Sequence, residues 1–522
     1  MTSGDPLEAL ARGIIGVGFD GRTVEAAPLD ELRAFAPGAI ILFARNAGSA
    51  DELRALVAAL RALASPAPLI AVDQEGGRVE RIRDGVAALP PAMAAGAAND
   101  VALTESLGVL AGRDLARFGI SLDLAPVADL ASEPRGTVIA TRAYGDDPES
   151  VAAHAGAFAR GLERGGVAAA LKHFPGHGAT SADSHVTLPR VDATAAELRA
   201  RHLVPFARAV AARDASVVLS AHVVVDAFDR AAPASLSPAV MTTLLRDELG
   251  FDGVAMTDCL EMDAIAARGG AVRGAVDALA AGADLLLISH HLDLARAAAC
   301  AIVAAVRDGT VPRARLEAAH ARVHALRARF AIPAPSNAPV DEGVPIEISR
   351  RAVTAVRGEP RLHDGKPVTV ISFEGATHDA AAASGAGAAH AASPSLSAAL
   401  RARGWKSEHM RVAVEPGDED VELLLEHVAA LGEREFVAVV RDAHVRDAQR
   451  RAVARLLDVA PHTIVVSARA PFDALLWSEA GRVLCIYGDG ELAFAACADV
   501  LSGRAPARGT LPVRLARDAA VR

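Results

Sequence analysis

The feature that most constrains this chain is an alternation. From the start to about residue 330, short runs of β-branched and apolar residues alternate with Ala/Leu/Arg stretches of helical period. Eight runs occur, at 13–19, 39–43, 69–72, 121–127, 167–171, 216–220, 253–257 and 284–289. This is the rhythm of βα units around a parallel sheet. Eight parallel strands with intervening helices predict a (β/α)8 TIM-type barrel, whereas a doubly wound sheet has fewer strands and a glycine-rich phosphate turn after the first. No such turn follows 13–19.

The segment 332–345, IPAPSNAPVDEGVP, is rich in proline and polar residues and reads as a linker. The predicted organisation is a catalytic barrel at 1–331, the linker at 332–345, and a second unit at 346–522. In that unit, strand-like runs at 368–373, 412–414, 436–440, 463–466 and 483–487 predict a smaller α/β sandwich. Residues 375–393, rich in Ala, Gly and Ser, read as a surface loop.

Composition narrows the functional class. With 52% hydrophobic and 23% charged residues and a net charge of −10, neither a nucleic-acid partner nor an anionic membrane is indicated. The four cysteines are scattered without a CxxC pair, which argues against a structural zinc site or a disulfide framework and fits a reducing compartment. The N-terminus lacks a basic start followed by a long apolar stretch, and no run reaches the roughly 18 apolar residues of a membrane span. A cytoplasmic protein without membrane anchor or cofactor is expected.

Polar residues cluster where a barrel carries its chemistry, just after the apolar runs. Asp73-Gln74-Glu75-Gly76-Gly77-Arg78 follows the third run, with Arg81 further on, and Lys172-His173 through Gly178 follows the fifth, leading to Asp183-Ser184-His185. Asp258-Cys259-Leu260-Glu261-Met262 follows the seventh. Taken singly, Asp73 or Asp258 would serve as a helix cap, Arg81 or Arg142 as a surface charge, and His173 or His177 as a core histidine. Several such clusters at one barrel face are hard to explain as coincident capping. Lys172 is the only lysine in the barrel of a chain with 3 lysines in all, which points to a need for a compact ammonium with three donors.

In an extended loop, residues two apart point to the same side, so Asp183 can accept from one nitrogen of His185 and leave the other to move a proton. A rival chemistry is metal binding by His173, His177, Asp183 and His185; these four supply no His-x3-His on a helix to support it, and no metal is expected.

These residues closely resemble family 3 glycoside hydrolases, in particular the β-N-acetylglucosaminidase branch. The motifs, in order, are DQEGGRVERI at 73–82, TRAYGDDPE at 141–149, LKHFPGHGATSADSH at 171–185, SAHVVVDAFD at 220–229 and FDGVAMTDCLEM at 251–262. GRAPARGTLPV at 503–513 is similar to the closing segment of the family's second domain, while 131–140 and His290-His291 depart from its pattern. The resemblance implies that Asp258 is the nucleophile and that Asp183 and His185 form the acid/base dyad. It also implies that Asp73, Arg81, Arg142, Lys172 and His173 grip a terminal N-acetylglucosamine. The expected activity is exo-acting retaining hydrolysis of cell-wall fragments or related glycosides, with a small-molecule sugar, an N-acetylglucosaminide or a muropeptide, as the partner. Phosphorolysis on the same scaffold and a β-glucosidase type of specificity are the alternatives.

Overall fold

The computed structural model describes residues 5–136, 138–178, 180, 189–330, 341–375 and 394–515. Eight parallel strands close into a barrel in sequence order: β1 (Ile15–Val17), β2 (Ala39–Leu42), β3 (Leu69–Val72), β4 (Leu122–Asp123), β5 (Ala168–Phe174), β6 (Val217–Ser220), β7 (Val254–Cys259) and β8 (Leu285–Ile288). Closure runs through the β1–β8 pair, where Ile15, Gly16 and Val17 face Leu286, Leu287 and Ile288. The expected TIM-type barrel is what forms, because each apolar run is buried on both faces, outward by flanking helices and inward by the side chains that fill the barrel.

Local sequence explains the helices that separate the strands. Ala50–Arg61 opens on a capping box, the Ser49 side chain accepting from Glu52 N–H while the Glu52 carboxylate accepts from Ser49 N–H. Pro148–Gly165 has Asp147 as its N-cap, Pro148 in its first turn and Gly166 closing it at φ 101°. That helix lies against Val101–Arg117 so closely that a Cβ on Gly161 would sit 2.3 Å from the Glu105 carbonyl oxygen, which makes glycine obligatory there. At the N-terminal end of β8, fully buried Asp284 binds Arg246, Arg315 and Arg322. These charges lie at the end of the barrel away from the polar clusters.

The second unit is a six-stranded sheet of β9 (Thr354–Arg357), β10 (Val368–Glu374), β11 (Ser407–Ala413), β12 (Glu435–Val440), β13 (Ile464–Ser467) and β14 (Arg482–Cys485). The strand order is β9-β14-β13-β12-β10-β11, with β9 antiparallel to β14 and the other pairs parallel. Two differences from the sequence reading concern edges. β9 carries no long apolar run, and β11 exposes much of itself, so only its end at 412–414 reads as a strand. Helix Val344–Ala352 begins inside the 332–345 segment, with Pro345 in its first turn, where a missing N–H costs nothing. The rest of that segment up to 340 lies outside the described residues, as does nearly all of 375–393.

This sheet domain is docked on the barrel. Thr510 N–H donates to the Ala97 carbonyl and Asp146 N–H to the Pro512 carbonyl, and Arg514 pairs with Asp146. His444 bridges the two units, binding Asp473 at 2.7 Å through Nδ1 and the Pro134 carbonyl at 2.9 Å through Nε2. Among the described residues, no helix is long and apolar enough to cross a membrane.

Candidate active site

The ends of β3, β5 and β7 meet in a pocket of about 130 Å³ whose walls include Asp73, Glu75, Arg81, Lys172, His173 and Asp258. This is the C-terminal face of the barrel, where loops after the strands build sites. A larger cavity, about 540 Å³, lies between the two domains beside Arg78, Glu80, Arg469 and Asp489, and Asp258 does not line it.

Two of the three strands deliver their polar residues through an irregularity. Along β5, Lys172 pairs with Leu219 and Phe174 with Ser220, so β5 holds one residue more than β6. Along β7, Met256 pairs with Leu285 and Cys259 with Leu287, again one residue more than the partner. A regular strand turns neighbouring side chains to opposite faces, whereas an extra residue re-aims them. Lys172 and His173 therefore share the pocket wall, as do Asp258 and Cys259.

The core of the site is an ion-pair chain. Lys172 Nζ lies 2.8 Å from Asp73 Oδ1 and 2.5 Å from Glu75 Oε1, and its side chain is 3% exposed. Arg142 clasps Glu75 with Nε at 2.7 Å and Nη2 at 2.8 Å, a bidentate fork. Arg81 Nη2 stands 3.6 Å from Asp73 Oδ2. Burial pushes the Asp73 and Glu75 carboxyls up, but the adjacent cations outweigh it and hold both below the ordinary range. Burial likewise lowers Lys172, yet Asp73 and Glu75 outweigh it and keep the ammonium protonated.

Beneath this chain, buried Asp123 accepts from Gln74 N–H at 2.9 Å, and burial raises its carboxyl far above the ordinary range. The Gln74 side chain ties the hairpin of Gln74–Gly76 and Val79–Glu80, accepting from Arg81 and Ile82 N–H and donating to the Ile82 carbonyl. That hairpin is what turns Glu75 inward. Asp129 organises the turn after β5: Oδ2 meets His173 Nδ1 at 2.6 Å and Oδ1 accepts His177 N–H at 2.6 Å. Arg142 Nη2 approaches His173 Nε2 at 3.3 Å; a guanidinium only donates, so that nitrogen is the acceptor and Nδ1 carries the proton towards Asp129. Burial lowers His177 to about 4.

Asp258 is the next-to-last residue of β7, and its Oδ1 accepts the Cys259 N–H at 2.7 Å. The Cys259 carbonyl lies 2.9 Å from His222 Nε2, which anchors the strand end. Burial raises the Cys259 thiol to about 12.

Six of the eight residues singled out from sequence thus meet in one pocket or on its wall: Asp73, Arg81, Arg142, Lys172, His173 and Asp258. Asp183 and His185 lie outside the described residues. Sequence reasoning passed over Glu75, Gln74 and Asp129. Glu75 sits in the quoted DQEGGR run two residues after Asp73, and the two-residue period that puts both on one side was its available signal. Asp129 is a lone carboxylate in an apolar stretch after the fourth run, and that was its available signal.

The family model described as "Glycosyl hydrolase family 3 N terminal domain" matches residues 22–326. The chain is 42% identical over 299 residues to a beta-hexosaminidase of Chromobacterium violaceum, covering 56% of this chain and 83% of that protein. It is 41% identical over 309 residues to a beta-hexosaminidase of Pseudomonas aeruginosa strain LESB58, covering 59% and 90%. Among solved structures, it superposes on a glycoside hydrolase family 3 beta-N-acetylglucosaminidase from Paenibacillus sp. str. FPU-7 with a TM-score of 0.89 at 33% identity, covering 98% of this chain and 99% of the other. With its barrel matched by the family model and its whole length by that structure, the chain belongs to glycoside hydrolase family 3, in the β-N-acetylhexosaminidase branch, and is a hydrolase of sugar substrates.

Proposed function

We propose that this enzyme is an exo-acting retaining β-N-acetylglucosaminidase that removes terminal N-acetylglucosamine from cell-wall fragments or related glycosides. The observation that carries the reading is the division of one small pocket: fixed charges on Asp73, Arg81 and Lys172 on one side, and the Asp258 carboxylate at the end of another strand. Hydroxyl groups both donate and accept, so alternating carboxylates and cations match a sugar ring. A pocket of about 130 Å³ suits a chain end better than the middle of a polymer. The branch of the relatives supports an N-acetylated sugar.

In the proposed reaction, the Asp258 carboxylate attacks the anomeric carbon as the glycosidic C–O bond breaks, and His185 gives its proton to the leaving oxygen. In the second step, water attacks the anomeric carbon, neutral His185 takes the water's proton, and the ester to Asp258 breaks. Asp183 orients the imidazole and favours its protonated form. We assign Arg142, whose fork is taken up by Glu75, to positioning Glu75 and, through it, Lys172, while Asp73 and Lys172 meet the sugar. Four free cysteines and the absence of a CxxC pair support a cytoplasmic site of action.

The test is product analysis on an aryl β-N-acetylglucosaminide, a muropeptide disaccharide and a chitooligosaccharide, with and without phosphate. The expected outcome is release of single N-acetylglucosamine units, formed first as the β anomer, at a rate indifferent to phosphate. A first-formed α anomer would refute retention. Accumulation of a sugar 1-phosphate would replace hydrolysis by phosphorolysis, and preference for an aryl glucoside would refute the assigned sugar.

A further inference from the structure

Three side chains that the proposed reaction does not use converge at the pocket rim. Ligand atoms of Cys259, Glu261 and His290 all lie within 4.8 Å of one another. Thiolate, carboxylate and imidazole are the donor types that zinc takes in proteins, and three protein ligands leave a fourth position for an exchangeable one.

The surroundings hold each donor in place. Ser289 Oγ donates to Cys259 Sγ at 3.0 Å. The Glu261 carboxylate accepts His290 N–H at 2.7 Å and His291 N–H at 3.1 Å, and meets His291 Nδ1 at 2.7 Å. The His290 ring stacks on Phe43 with centroids 5.3 Å apart, and the Arg45 guanidinium packs 4.4 Å from the centroid of that same Phe43 ring. Partners of this kind fix the direction of ligand atoms around a metal. The chain reaches this arrangement from two strand ends, since 259 ends β7, 261 follows it, and 290 follows β8, its neighbour in the barrel.

We propose that Cys259, Glu261 and His290 form a site for a thiophilic divalent cation of the zinc class, and that its occupancy inhibits the enzyme. On binding, the Cys259 S–H bond breaks, its proton passes to solvent, and the sulfur electron pair forms the bond to the metal. Cys259 directly follows Asp258 and donates its backbone N–H to Oδ1 of that carboxylate, and both residues line the pocket with His290. A dication there attracts the carboxylate and draws its charge away from the anomeric carbon, while taking up room in a small pocket. Binding of the cation is independent of the proposed reaction; the inhibition rests on Asp258 being the nucleophile.

Metal-stripped full-length enzyme is titrated with Zn²⁺ by calorimetry and with Co²⁺ by near-ultraviolet absorption, and the hydrolysis rate is followed in parallel. One equivalent of Zn²⁺, a thiolate-to-cobalt charge-transfer band, and inhibition reversed by a chelator and not caused by Mg²⁺ are expected. Cys259→Ser and His290→Ala should each weaken binding by about tenfold or more and weaken inhibition in parallel, each judged against its own metal-free rate. Absence of stoichiometric binding, absence of the thiolate band, or unchanged affinity in both variants would overturn the site. Zinc bound as described with an unaltered rate, or inhibition undiminished in Cys259→Ser, would overturn the inhibitory role. Stoichiometric binding in a chain that proves to hydrolyse no N-acetylglucosaminide would uphold the site and fail the functional reading instead.

Discussion

Replacing Glu75 with glutamine keeps the side chain's shape and removes one charge. The carboxylate accepts from Arg142 at 2.7 and 2.8 Å and from Lys172 at 2.5 Å, with its side chain 5% exposed. Glutamine offers one acceptor oxygen, so its amide nitrogen faces either the guanidinium or the ammonium, donor against donor. Removing one member of a buried ion pair costs about 3–5 kcal/mol, because the remaining charges stay buried without compensation. Unfolding entropy near 2.1 cal/mol/K per residue gives about 0.65 kcal/mol/K for a barrel of roughly 310 residues, so the expected fall in Tm is about 5–8 °C. Activity should fall further than stability suggests: Lys172 loses a partner that fixes it against Asp73, and a displacement of about 1 Å at such a group costs about 10²-fold. Calorimetry with steady-state kinetics on an aryl β-N-acetylglucosaminide reads both effects. A Tm within about 1 °C of the parent, or a kcat/KM within about twofold, would show that the ion-pair chain does not organise the pocket.

Asp258→Ala should lower kcat by about 10⁴-fold or more while calorimetry still detects N-acetylglucosamine binding; retained turnover would remove its assignment as nucleophile. Asp284→Asn leaves three partly buried arginines around a neutral, buried group at the far end of the barrel, so the melting temperature should drop by several degrees with kcat and KM unchanged. Burial lowers His154 from 6.5 to about 4, so between those values the unfolded chain binds a proton that the folded chain refuses. Stability should therefore fall as pH falls through that window, and His154→Phe should flatten the slope of Tm against pH; an identical slope would refute the assignment.

The strands were legible where their residues were apolar and faded where function began. The runs at 167–171 and 253–257 stop short of strands that continue to Phe174 and Cys259, because the runs are interrupted by Lys172, His173, Asp258 and Cys259, which face a pocket. The run at 121–127 overstates β4, which ends at Asp123, ahead of Pro126 with its missing N–H. In the second domain, the edge strands β9 and β11 were missed or shortened, since an edge strand exposed on one side lacks the apolar run that marks a central one.

By itself, the sequence determined the number of barrel strands and the end of the barrel that carries the polar clusters of the site. Burial dictates composition along a strand, and polar residues following an apolar run can lie only at its C-terminal mouth. Which of two neighbouring side chains enters the pocket was decided by tertiary structure. Lys172 with His173, and Asp258 with Cys259, share a wall because β5 and β7 each hold one residue more than the strand beside them. Tertiary structure also supplied the partners of Glu75, since Arg142 and Lys172 stand 67 and 97 positions away along the chain. Side-chain direction in a sheet follows from the pairing of strands distant in sequence, and no local pattern encodes that pairing.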